Sequence, residues 1–231
     1  MFKGFSKKGQ EFLARLEKNN NKEWFEAHRH EYSEYILEPC REYVVEMGEH
    51  LQALVPTINA IPKINGSLFK IYRDSRFHAR VNPIKTRIGV IFWQGGGRRM
   101  ASSSFYMHFS TKELFLAAGI RSFKPDMLKC YREYIKKQSH RESLHVIVQN
   151  LIKKGYSIPQ AHYKRYPKGF SEEMDYAYLS LHNSIYAFKE LKPDGVFLSA
   201  KFPEYAYDIY EDMFDMQQWV YEMTLTYKED G

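Results

Sequence analysis

Apolar positions along the chain fall into two periods, helical at both ends and alternating in the middle. Phe12, Leu13 and Leu16 form a buried stripe that predicts a helix over residues 7–18, with Ser6 as its N-cap. Asn19-Asn20-Asn21 ends it. Asn20, three residues before Glu23, reads as a variant capping box for a second helix opening on Trp24 and Phe25. From Tyr32, the residues Ile36, Cys40, Val44, Met47, Leu51 and Leu54 recur at threes and fours and mark one apolar helical face. Pro39 interrupts that face, so the helix kinks there unless a new helix begins at it. Glu34, Glu38, Glu42, Glu46 and Glu49 share a face that reads as solvated. The alternative, a carboxylate metal cluster, lacks a histidine at suitable spacing.

Between residues 68 and 120 the period becomes two. Leu68–Tyr72 reads as a strand, and Pro56 and Pro62 bracket a loop or a short edge strand. Ile88, Val90 and Phe92 alternate along a second run, and Gln94 to Arg99, with its three glycines, turns the chain. Phe105, Met107 and Phe109 alternate again, Ser110-Thr111-Lys112 turns, and Leu114–Ile120 returns. These connections are too short for parallel crossovers, so the middle is an antiparallel meander. Helical spacing resumes at Pro125-Asp126, with Met127, Leu128, Tyr131 and Ile135 inward. A further helix over 141–154 turns Leu144, Val148, Leu151 and Ile152 inward and ends at Gly155. Residues 176–181 read as a short helix or turn, Ile185–Phe188 as a strand, and Pro193-Asp194-Gly195 as a turn. The last helix covers 204–225, with Tyr205, Ile209, Met213, Met216, Val220 and Met223 on one side. Strands in the middle and helices at both ends give an α+β class. No repeat or low-complexity linker divides the chain, so a single domain over residues 1–231 is expected.

A chain of 231 residues, 44% hydrophobic and 16% aromatic, has the means to build a substantial core. No apolar run reaches membrane-spanning length, and residues 1–6 lack the apolar stretch of a signal peptide. Cys40 and Cys130 are isolated, which suits a reduced, cytoplasmic setting and no disulfide framework. Charge adds a pattern that the net value of +6 conceals. Residues 51–170 carry 22 Lys and Arg against 5 Asp and Glu, whereas residues 171–231 carry 4 against 13. A basic centre of this kind fits a phosphorylated ligand or nucleic acid as partner. It also fits an acidic tail helix docked beside the basic middle.

The densest candidate chemistry lies between Phe69 and Thr86. Arg73, Arg76, Arg80 and Lys85 crowd around one acid, Asp74. One reading is an Arg–Asp network that holds an irregular loop; the other is an anion clamp. Lys164, Arg165 and Lys168 join the clamp if the basic aromatic loop 163–170 meets it, and Tyr163, Tyr166, Phe77 and Phe170 are then available to stack on bases. Asp74 and His78 are the candidates for a catalytic base, with the arginines stabilising charge on a phosphate- or carboxylate-bearing substrate. His108 is the other histidine worth testing. No HExxH or tight His/Cys group occurs, so no metal or cofactor is expected. The triple glycine lacks phosphate-loop spacing and reads as a hairpin tip. Three function classes stay open: an anion-binding module, ranked first, an enzyme on an anionic substrate, and a structural or interaction domain.

Several of these segments together resemble a known family. Phe2-x-Gly4-Phe5, Asn19-Asn20-Asn21-Lys22-Glu23-Trp24-Phe25, Arg73-Asp74-x-Arg76-Phe77, Pro83-x-Lys85-Thr86 and Pro167-Lys168-Gly169-Phe170 occur in the order seen in the domain of unknown function 2461 family. The resemblance spans almost the whole chain. It implies one α+β unit and no particular activity. It also marks a departure, because the family pattern continues from Arg-Asp-x-Arg-Phe to Asp-Lys and then Pro-Tyr-Lys. Here those places hold Arg80-Val81 and Pro83-Ile84-Lys85. If the missing acid binds a metal or moves a proton in relatives, that function is altered here, which favours binding over catalysis.

Overall fold

The computed structural model describes residues 1–73 and 82–227. Helix α1 (Lys7–Lys18) starts where Ser6 accepts a hydrogen bond from the Gly9 N–H at 3.1 Å, and its inward stripe of Phe12, Leu13 and Leu16 is completely buried. Helix α2 (Lys22–Ala27) is capped by Asn21, whose side chain accepts from the Trp24 N–H at 2.8 Å. The cap is therefore one residue later than the capping-box spacing implied, and Asn20 is free to bond elsewhere. Helix α3 (Arg29–Tyr32), a single widened turn over Ser33–Leu37 and helix α4 (Glu38–Leu54) follow without a break. Pro39 sits in the first turn of α4 and has no N–H for the Tyr35 carbonyl four residues back. The widened turn lies at that gap, so the apolar face continues through Ile36, Cys40, Val44, Met47 and Leu51, all buried.

Five strands, β1 (Ile58–Asn59), β2 (Ile88–Gln94), β3 (Ser104–Phe109), β4 (Leu114–Ile120) and β5 (Ile185–Leu191), form one antiparallel sheet in that order. The meander expected over 88–120 is present. Leu68–Tyr72, however, is not a regular strand; it makes only isolated pairings, Leu68 with Val90 and Tyr72 with Ile84. Between β4 and β5 lie α5 (Pro125–Tyr134), α6 (Gln138–Lys153) and a short tight turn, Ala177–Leu181, entered through Tyr176 at φ 56°. Strand β5 runs three residues past Phe188. The expected final helix is two helices, α7 (Phe202–Asp212) and α8 (Phe214–Leu225), separated at Met213. Ile152, assigned inward by spacing, is half exposed.

Two compact units share the chain. The first holds Met1–Phe92, Tyr106–Leu116 and Glu190–Ile209, and the second Trp93–Phe105, Ala117–Lys189 and Tyr210–Gly231. The first is built on stacked aromatics. Phe5 lies 4.6 Å from Phe197 and 4.7 Å from Phe109, and Tyr43 stacks on Phe202 at 5.3 Å. Gly4, at φ 101°, permits this, since a Cβ there would stand 2.6 Å from the Leu198 carbonyl.

The second unit packs α5, α6 and α8 through Tyr131, Leu144, Val148, Met216 and Val220. Arg141, within the basic stretch of the sequence, is buried here. Its guanidinium donates to the carbonyls of Ile135, Lys136 and Asp175 at 2.7, 2.6 and 2.9 Å, which makes it a strut rather than a surface charge. Lys154 meets Asp212 at 2.5 Å, one point at which the basic middle and acidic tail do pair. No helix among the described residues is long and apolar enough to cross a membrane.

Candidate functional site

The Arg-rich segment is held by its two ends. The Arg73 N–H donates to the Pro83 carbonyl at 2.9 Å, and the Lys85 N–H donates to the Ile71 carbonyl at 2.8 Å. These bonds flank the opposed pair Tyr72 and Ile84 and make a short antiparallel clasp. Alternation about that pair places Arg73 and Lys85 on one side of the clasp and Tyr72 and Ile84 on the other. Asp74, Arg76, His78 and Arg80, the remaining candidates from this segment, lie outside the described residues, as does Phe77.

The Tyr72–Ile84 side is anchored. Ile84 is fully buried, and its backbone exchanges two hydrogen bonds with the Asn20 side chain. Tyr72 sets its ring edge-on to Phe25, 5.5 Å away, and its hydroxyl donates to Glu26, which also takes both prongs of Arg29 at 2.7 Å. Those bonds, led by Arg29 and then Tyr72, hold the Glu26 carboxyl down at about 2. On the other side, Arg73 is partly buried. Its Nε is shut off from solvent and has no hydrogen-bond partner among the described residues. Lys85 Nζ reaches back to the Lys70 carbonyl at 2.8 Å.

Lys164, Arg165 and Lys168 are all exposed on the loop after α6, in the second unit, whereas Arg73 and Lys85 belong to the first. Of the aromatics proposed as stacking platforms, Tyr166 is exposed, Tyr163 is covered by the Arg132 guanidinium at 4.7 Å, and Phe170 is buried. Phe170 is therefore a loop anchor and not a platform. Sequence reading passed over Arg132 because it sits inside an ordinary amphipathic helix. Its position over Tyr163 is a tertiary fact, and its Nε too is buried without a partner among the described residues. His108 is a core residue, stacked 4.7 Å from Phe115 and 3.4 Å from Glu113 Oε2. Among the described residues, no group of three or more His, Cys, Asp or Glu is arranged to hold a metal ion.

A family model described as conserved hypothetical protein (DUF2461) matches residues 8–219. The chain belongs to that family. The match runs from α1 through the first half of α8 and takes in the clasp and the basic loop 163–170. At Ile84, where the resemblance expects tyrosine, the isoleucine side chain is fully buried, so this departure lies on the packed side of the clasp. No curated protein and no solved structure matches the chain at a significant level.

Proposed function

We propose that the protein is an anion-binding module that takes a phosphate-bearing ligand on the Arg73 and Lys85 side of the clasp. Arg73 carries the reading. Its Nε is a buried donor with no acceptor among the described residues, and a donor buried unpaired is costly. Arginine suits that ligand because its planar fork matches phosphate oxygens. The clasp keeps Arg73 and Lys85 on one side, where two positive charges act together. Arg76 and Arg80 enter this reading from the sequence alone, and the exposed Lys164, Arg165 and Lys168 supply a second basic stretch in the other unit.

The ligand's shared chemistry is the phosphoryl group. Binding of a fluorescent single-stranded oligonucleotide, measured over a range of salt, separates its two sources. A nucleic-acid ligand gives log affinity falling linearly with log salt, with a slope that shrinks by roughly 0.7 for each phosphate contact removed by Arg73→Ala or Lys85→Ala. A small phosphate ligand instead gives no oligonucleotide binding but saturable binding of pyrophosphate. Absence of both overturns the proposal.

A further inference from the structure

Within the first unit the sheet has two unlike faces. Phe92, Met107, Phe109, Leu114 and Leu116 turn to the core and are buried. The alternate positions of β3 and β4 put Tyr106, His108 and Phe115 on the opposite face, and Phe69 joins them from the segment beside β2. Gly89 makes room for it, since a Cβ there would stand 3.0 Å from Phe69 Cδ2 and 3.2 Å from the Tyr106 hydroxyl. The Tyr106 ring lies 6.0 Å from Phe69 and 6.3 Å from Phe115, steeply inclined to both at 84° and 66°. Phe115 in turn stacks on the buried His108 at 4.7 Å, with the two planes 10° apart. Phe69, Tyr106 and Phe115 are each only half-buried, so three neighbouring rings reach solvent on this face.

We infer that this aromatic face stacks the bases of a single-stranded nucleic acid whose phosphates lie on the basic side of the clasp. The inference rests on the anion-binding reading and names its ligand. Charge complementarity chooses that occupant. Lys85 Nζ bonds the carbonyl of Lys70, the residue that follows Phe69, so one cation of the clasp stands beside the first ring. Lys70 and Arg87 are exposed next to it in the chain. Arg87 meets Glu113 at 2.7 Å, and the same carboxylate oxygen lies 3.4 Å from His108 Nε2, which brings a guanidinium to the Phe115 end of the row. Aromatic rings interleaved with such cations suit a strand that alternates bases with phosphates, because every base offers a π-face whatever its sequence. A duplex fits less well, since its paired bases are already stacked on one another and only unstacked ones can be splayed onto side chains.

The test compares a fluorescent single-stranded oligonucleotide with an abasic strand of the same length, each titrated into the full chain at low salt, and pyrophosphate titrated separately. The abasic strand keeps the phosphates and loses the bases. The intact strand should bind at least about fivefold more tightly, the lower bound for one stacked base. Phe115→Val should weaken the intact strand by a similar factor and leave pyrophosphate affinity as in the parent, whereas Phe115→Tyr, which keeps a ring, should bind as the parent does. The comparison of strands needs only the parent, so it decides the matter even if Phe115→Val does not fold. Equal affinity for the two strands, an unchanged affinity in folded Phe115→Val, or pyrophosphate bound without either strand would overturn this inference and leave the anion-binding reading standing. Binding of neither strand and no pyrophosphate would overturn both.

Discussion

Asn20 and Ile84 exchange two hydrogen bonds: the Asn20 side-chain amide donates to the Ile84 carbonyl at 2.9 Å, and the Ile84 N–H donates to Asn20 Oδ1 at 3.0 Å. A side-chain amide here pairs with a backbone as a neighbouring strand would, from a residue 64 positions away. It fixes the Ile84 end of the clasp and, through it, Lys85. Asn20→Ala leaves the Ile84 N–H and carbonyl without these partners and is expected to cost about 1–3 kcal/mol in chemical denaturation. Asn20→Asp keeps the acceptor but loses the donor, and should fall between the two. An Asn20→Ala protein as stable as the parent would show that the clasp does not depend on this pair.

Glu26 makes the clasp sensitive to acid. Its carboxyl sits at about 2 in the folded protein, against an ordinary value of 4.5, so folding favours the charged form. A depressed folded value means that this contribution is complete above pH 4.5 and fades as pH falls through about 2. Tyr72→Phe removes the second of the two bonds that hold the carboxyl down, and should move the Glu26 midpoint part of the way back while Arg29 keeps the rest. Carboxyl-detected NMR titration reads this directly; an unmoved midpoint would remove Tyr72 from the account.

His182 has the opposite charge behaviour and the same sign of pH dependence. Its folded value lies below 6.5, so the unfolded chain takes up the proton first, and stability falls as pH drops through 6.5 toward the folded value. His182→Phe should flatten that part of the stability–pH curve, as read by denaturant midpoints between pH 7.5 and 5. A slope that persists unchanged would place its origin elsewhere.

Gly119 in β4 tests the sheet. It stands at φ 125°, and a Cβ there would lie 2.3 Å from the Ile185 carbonyl oxygen of β5. Backbone strain and collision act together, so Gly119→Ala should destabilise by roughly 2–5 kcal/mol. A near-neutral result in thermal unfolding would mean that the β4–β5 pairing can shift.

What was legible in the sequence follows from how local each cause is. The cap at Ser6, the stripe of α1 and the meander were readable because periodicity and turn chemistry act over a few residues. The Asn21 cap was missed by one place, since three consecutive asparagines offer equivalent local choices and the decision rests on Asn20 finding Ile84. Leu68–Tyr72 reads as a strand on alternation, yet only Leu68 and Tyr72 form β-bridges, each an isolated one. The break at Met213 has no helix-breaking residue to announce it. On the site, the sequence pointed to Arg73 and Lys85 by density of charge, and the clasp explains why those two share a side. It could not point to Arg132, whose partner Tyr163 lies 31 positions further along the chain.

The central claim is that Arg73 supplies charge to a bound phosphoryl group, and calorimetric titration of pyrophosphate at low salt into the parent and Arg73→Gln proteins tests it most directly. A charge-assisted bond is worth about 1.5–3 kcal/mol, so the parent should bind saturably and the variant at least tenfold more weakly, with an unchanged far-ultraviolet spectrum. A parent protein that takes up no pyrophosphate, or a variant that binds it equally well, would contradict the account.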